Sequence, residues 1–138
     1  MRNLILLGVI TLIALGGCGR KELPQPDTSE PLRLVNLTYK KEVSILQLRF
    51  TILGGVGPVG YQIDRAETDP NCDCLTLWRR HFEQPTIPKL KGKVLLRNLK
   101  LLSYKREFAF RIRAVDSMGN LGAWSAAMRA RADAVWQK

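Results

Sequence analysis

Past an apolar start, the chain reads as a series of short alternating stretches. Ile45 to Leu53 puts Leu46, Leu48 and Phe50 on one face of an extended chain and Gln47 and Arg49 on the other. That period of two is the mark of a half-buried β-strand. Tyr61 to Arg65 alternates again. The clearest case is Phe108 to Val115, where Phe108, Phe110, Ile112 and Ala114 share a face. Leu32 to Tyr39 reads as a first strand, and Val94 to Leu102 as one strand plus a connection. A last strand is expected over Ser125 to Ala132, with Met128, Ala130 and Ala132 alternating against Ala127, Arg129 and Arg131. The Ala-rich stretch Arg129–Val135 has a helical alternative. Gly54–Pro58 and Asp116–Gly122 carry turn chemistry, while residues 67–92 follow no clear period. About seven short strands separated by turns predict an all-β sandwich.

The first residues do not belong to that pattern. One cation, Arg2, precedes a run from Leu4 to Leu15 that is almost wholly apolar, and Gly16-Gly17-Cys18 follows. This is the layout of a secretory signal peptide, and the run falls short of the roughly 20 apolar residues a spanning helix needs. Leu15-Gly16-Gly17-Cys18 resembles the lipobox of bacterial lipoproteins. The resemblance implies a diacylglycerol on the Cys18 sulfur and cleavage that leaves Cys18 as the new N-terminus. Two acyl chains suffice for stable anchoring where one is marginal. An uncleaved N-terminal anchor, or a plain signal peptide with a chance cysteine, is the alternative. Gly19 stands where an aspartate would retain such a protein in an inner membrane. The implied location is therefore the bacterial cell envelope, at the outer membrane facing the periplasm if the source has two membranes. Residues 19–31, polar and with three prolines, read as a disordered spacer. The expected division is a signal peptide over 1–17, lipidated Cys18 and linker over 18–31, a domain over 32–133 and a tail over 134–138.

Charge adds a constraint. Removing residues 1–17 takes one of the 22 basic residues and none of the 12 acidic ones, so the formal charge falls only from +10 to +9. Between Arg79 and Arg113 eleven Lys or Arg face only Glu83 and Glu107. Such a surface favours anionic partners. An export signal removes nucleic acid from that class and leaves the membrane, an envelope protein or another anionic surface.

The end of the chain carries a second resemblance. Phe108-x-Phe110-x-Ile112-x-Ala114, then Asp116-x-x-Gly119-Asn120, then Trp124-Ser125 is similar to the last third of a fibronectin type III domain, an immunoglobulin-like sandwich. Tyr61-x-Ile63-x-Arg65 and Leu46-x-Leu48-x-Phe50 are similar to its third and second strands. The likeness covers roughly residues 31–133, about one domain of ~100 residues. Phe50 stands where the family usually has Trp. Phe108 stands where it usually has Tyr, which removes a corner hydrogen bond of about 1 kcal/mol.

Strand parity then assigns candidate residues. With Phe108 to Ala114 inward, Arg111 and Arg113 point outward, as do Arg129 and Arg131 on the last strand. Pairing of the two strands would gather four arginines on one sheet face, and like charges opposite each other are destabilising. Asp64 and Trp124 are the expected compensation, an indole between guanidiniums gaining about 0.5–1 kcal/mol per exposed contact. Trp-Ser beside Arg-x-Arg is similar to the stacked ladder of cytokine-receptor domains. A structural ladder, an anion-binding face and a merely solvated face are the three options. Cys72 and Cys74 are the candidate disulfide, since Cys18 is taken by lipid. Their tight Cys-x-Cys ring needs the chain to bend, and Pro70-Asn71 supplies the turn. Structural zinc would need four ligands, and Cys72, Cys74 and His81 lack a fourth His or Cys, so no metal is expected. Gly54-Gly55-x-Gly57 lacks the Lys-Ser/Thr of a phosphate loop.

His81 is the only histidine, and neither a carboxylate pair nor Gly-x-Ser-x-Gly stands beside it, so the expected function is non-enzymatic and needs no cofactor beyond the lipid. A tethered module that binds or scaffolds a partner at the envelope is the first expectation. An accessory subunit of an envelope assembly machine, docked through its lipidated N-terminus, is the second. A thiol-disulfide role for Cys72/Cys74 is the third.

Overall fold

The computed structural model describes residues 30–134. Residues 1–29 and 135–138 lie outside the described residues, and with them the expected signal peptide, Cys18, most of the expected linker and most of the expected tail. Eight strands run in the order β1 Arg33–Glu42, β2 Ile45–Leu53, β3 Val59–Asp69, β4 Cys74–Leu75, β5 Arg79–Ile87, β6 Val94–Lys100, β7 Phe108–Asp116 and β8 Met128–Ala130. A single 3-10 turn, Pro88–Leu90, interrupts them. They form two antiparallel sheets. One has the order β1-β2-β6; in the other β3 lies between β7, which continues to β8, and β5, with the short β4 added at the end of β3.

The core lies between the sheets, and alternation builds it. Leu46, Leu48, Phe50 and Ile52 of β2 are fully buried and meet Val59, Tyr61 and Ile63 of β3 and Phe108, Phe110, Ile112 and Ala114 of β7. Phe50, on one sheet, sets its ring edge-on against Tyr61 of the other with centroids 5.0 Å apart, the geometry that the aromatic quadrupole favours. Leu99, Leu101, Met128, Ala130 and Ala132 belong to the same core.

Three expectations need correction. Residues 67–92 are not irregular throughout, because β5 pairs β3 from Arg79 to Ile87 in spite of Pro85. Proline removes a ladder donor, so within sheets it is confined to edges and bulges. Here the register slips between the Val59↔Ile87 and Tyr61↔Gln84 pairs, and Pro85 sits in that slip. The bulge brings the β5 backbone so close that any side chain on Gly60 would collide with Gln84 O. The final strand, expected over Ser125–Ala132, is only Met128–Ala130. Ser125 explains the loss: its Oγ accepts the Ile112 N–H at 3.1 Å where a ladder would offer a carbonyl. Finally, the helical alternative for Arg129–Val135 is not realised in its described part. Ala130 and Ala132 are both buried, which is a period of two.

Candidate functional site: a stacked tryptophan–arginine face

The outer face of the larger sheet is assembled from β3, β5 and β7. Register places Arg111 opposite Asp64 and Arg113 opposite Gln62, while Asp64 and Gln62 face Arg80 and Glu83 on the other side. Inward packing of Phe110 and Ile112 forces Arg111 and Arg113 out. Two indoles cover them. The Arg111 guanidinium lies 4.4 Å from the Trp78 ring centroid and 4.2 Å from that of Trp124, and the Arg113 guanidinium lies 4.2 Å from Trp124. Trp78, Arg111, Trp124 and Arg113 therefore form one stack. Trp78 enters from the connection before β5. Trp124 arrives after the loop 117–122, fixed by the Ser125 N–H donating to Ile112 O at 2.9 Å.

Beneath the stack runs a polar layer. Asp64 is buried, its Oδ1 accepting from Arg80 Nε at 2.7 Å and its Oδ2 from Arg111 Nη2 at 3.2 Å. Arg113 Nε donates to Gln62 Oε1 at 2.9 Å, Gln62 passes a bond to Glu83, and Glu83 takes Arg80 Nη1 at 2.7 Å. Three arginines thus share two carboxylates and a carboxamide. Arg111 Nε has no hydrogen-bond partner among the described residues, enclosed as it is between two indoles. Its charge is met edge-on by Asp64 and face-on by two rings. The arrangement ties strands β3, β5 and β7 together through Asp64, Gln62 and their arginine partners.

Arg129 and Arg131 do not join the stack. Arg129 shares the outward parity but stands opposite Ala109, two positions up β7 from Arg111. Its Nη1 binds Asp73 Oδ1 at 2.6 Å and approaches Glu107 Oε2 at 3.7 Å. Arg131 borders an open depression of about 670 Å³ together with Glu67, Lys105 and Glu107. The expected four-arginine face is split because β8 pairs only with Phe108–Phe110. Sequence reasoning missed Trp78, Arg80, Gln62 and Glu83. The one local signal for them, Trp78-Arg79-Arg80 ahead of a strand, was masked by the prolines that follow.

Cys72 and Cys74 are bridged, with Cα atoms 5.1 Å apart. Asp73 between them takes a left-handed backbone with φ 53°, and the turn before it is held by Asn71 N–H donating to Asp69 Oδ1 at 2.8 Å. The bridge thus fixes the carboxylate that receives Arg129. Replacing both cysteines with Ser is expected to cost about 1–2 kcal/mol in unfolding free energy, as for a very small closed loop. A urea titration showing no change would mean that the bridge does not shape the Asp73 turn. His81 packs edge-on to Phe110 at 5.6 Å. Burial lowers its pKa, helped by the charges of Arg65 and Arg97. Among the described residues no three His, Cys, Asp or Glu side chains converge as a metal site.

Asp116 is the other buried carboxylate, and it ties two loops. Its Oδ2 accepts from Val56 N–H and Asn120 Nδ2, each at 2.9 Å, and its Oδ1 from the N–H groups of Met118 and Asn120 at 3.0 and 2.9 Å. Burial works to raise its pKa, but these four bonds outweigh it and hold the group below the ordinary carboxylate value. Comparison of the chain with protein-family models, curated proteins and solved structures returned no match.

Proposed function

We propose that the chain is a lipid-anchored protein of the bacterial cell envelope whose immunoglobulin-like sandwich, in the fibronectin type III arrangement, is a non-enzymatic binding or scaffolding module. The observation that carries the module reading is the Trp78–Arg111–Trp124–Arg113 stack over Asp64. It commits the most chemically capable side chains to rigidity. The other reactive groups are similarly engaged: Asp116 ties loops, Cys72 and Cys74 are joined, and His81 packs on Phe110. Strand order supports the sandwich type, with β1-β2-β6 facing β4-β3-β7-β8 and β5 beside β3. Residues Leu15–Cys18 support the anchor, and the partner is an envelope protein or an anionic surface reached from the membrane.

The anchor is tested by mass spectrometry of the N-terminal peptide from membranes of the producing bacterium. The expected peptide starts at acylated Cys18, and Cys18→Ser is expected to abolish acylation and release the protein from washed membranes. A mature N-terminus elsewhere, or acylation that persists in the variant, would overturn the reading. Chemical crosslinking in intact envelopes followed by affinity capture identifies the partner.

A further inference from the structure

The two poles of the sandwich differ in where the described chain begins. At the proximal pole, where the described chain begins, Glu30 O accepts the Gly55 N–H at 2.8 Å and the Glu30 carboxylate pairs with Arg33. Pro31 O lies so close to Gly54, itself at φ 75°, that a side chain there would collide with it. The same pole carries the turn 54–58, the loop 117–122 and the turn 88–93. Asp116 binds the first two together, Ser117 Oγ donates to Val56 O at 2.9 Å, and Lys91 Nζ donates to Gly55 O at 2.8 Å. The pole is one hydrogen-bonded platform.

That platform shows solvent apolar and cationic groups together. Met118 is 72% exposed, Leu121 51% and Val56 37%. Lys89, Lys91 and Lys93 lie on the turn 88–93 at the same pole; none forms an ion pair among the described residues, and Lys91 keeps only its bond to Gly55 O. The carboxylates at this pole are spoken for, Asp116 by burial and Glu30 by Arg33. The distal pole also exposes apolar side chains, Val43, Leu102 and Tyr104. Its cations are only partly paired: Lys41 with Asp133, Arg106 with Glu67 and Arg129 with Asp73, while Lys100, Lys105 and Arg131 form no ion pair among the described residues. It is therefore the start of the described chain that distinguishes the poles.

We propose that the proximal pole docks onto an anionic phospholipid surface, with Val56, Met118 and Leu121 at headgroup depth and the three lysines over the phosphates. The inference rests on Cys18 being the lipid anchor. Eleven residues, 19–29, separate Cys18 from Glu30, and a chain of that length spans at most roughly 36–40 Å. Because the tether leaves from this pole, it brings this pole to the bilayer first. Electrostatic attraction fades beyond about 8–10 Å at ordinary ionic strength, so unpaired lysines act only on a surface held that near. Apolar tips among cations then gain from both burial and charge, as in other interfacial anchors.

The test uses the full acylated protein in phosphatidylcholine vesicles with and without phosphatidylglycerol. A fluorophore on Met118→Cys is read against nitroxide-labelled lipid and compared with the same fluorophore on Leu102→Cys. Both positions are exposed, so neither label disturbs the core. The Met118 label is expected to be quenched several-fold more than the Leu102 label. Phosphatidylglycerol is expected to enlarge the difference, and the triple Lys89, Lys91, Lys93→Gln variant to remove that enlargement. Equal quenching at both poles, or stronger quenching at Leu102, on protein that co-floats with vesicles and carries acylated Cys18 overturns the docking pole alone. An unacylated Cys18 overturns the anchor and the docking pole with it.

Discussion

Replacing Asp116 with Ala is expected to lower the unfolding free energy at pH 7 by roughly 2–4 kcal/mol, the cost of losing four part-buried bonds to a charged acceptor that is itself buried. The residue is 2% exposed and, among the described residues, is the one acceptor for the Val56 and Met118 N–H groups and for the side-chain amide of Asn120. For a domain of this size each kcal/mol shifts the melting temperature by about 4–8 °C, so the change is easily read by thermal or urea unfolding. The pH dependence has a definite sign. The folded pKa is held below the ordinary value of 3.8, so the unfolded chain takes up the proton first as pH falls. The stabilisation is complete above that ordinary value and is lost as pH falls through the lower folded pKa. The gap between wild type and Asp116→Asn should therefore narrow below about pH 3.8. A gap that stays constant from neutral pH into that acid range would mean that the carboxylate charge is not what ties the loops.

Replacing Asp64 with Ala is expected to cost about 2–3 kcal/mol, less than the 3–5 of breaking a fully buried ion pair because the arginine partners keep some water. The Asp64 side chain is 9% exposed, and those of Arg111 and Arg80 are 26% and 36%. Without Asp64, Arg80, Arg111 and Arg113 would repel one another across adjacent strands, with only Glu83 and Gln62 left to absorb the charge. Combining Asp64→Ala with Arg111→Gln should cost less than the two single changes added, with a coupling of about 1 kcal/mol or more. Additive losses would show that the stack stands without its carboxylate. Arg111→Gln with Arg113→Gln separates a ladder from an anion-binding face. The ladder predicts lower stability with vesicle binding unchanged, which also agrees with docking through the distant lysines.

Much of the fold was legible along the chain. The inward sets of β2, β3 and β7 follow from alternation, which is a property of neighbouring residues and survives any tertiary arrangement. The turn at Asp116-x-x-Gly119-Asn120 was equally readable, because Asp116 caps it locally and Gly119 supplies the left-handed φ of 83°. The strand β5 was not. Pro85 and Pro88 argue against a strand when only propensity is weighed, and nothing local says that an edge position with a bulge will tolerate them. The last strand was overextended for the complementary reason. Its alternation is real, and Ala130 and Ala132 are buried, but Ser125 satisfies Ile112 with a side-chain oxygen and the ladder does not form there.

The candidate site shows the same division. Outward parity placed Arg111 and Arg113 beside Trp124, and Asp64 followed as the expected counter-charge. Trp78 and Arg80 come from the stretch that looked irregular, so their share in the stack depended on the pairing of β5 with β3. Arg129 was assigned to the same face correctly and to the same cluster wrongly. Parity sets the side of a sheet on which a residue lies, while register sets its height.

The sequence alone thus determined which residues turn inward, where the chain reverses, which two cysteines can bridge once Cys18 is set aside, and the basic character of the surface. All of these depend on residues a few positions apart or on simple counts. Tertiary structure decided which indole meets which guanidinium, which arginines are neutralised, and that Lys89, Lys91 and Lys93 stand at the pole where the described chain begins. Those outcomes join segments far apart in the chain, such as Trp78 with Trp124 and Val56 with Asp116. Only the sheet register fixes their distances.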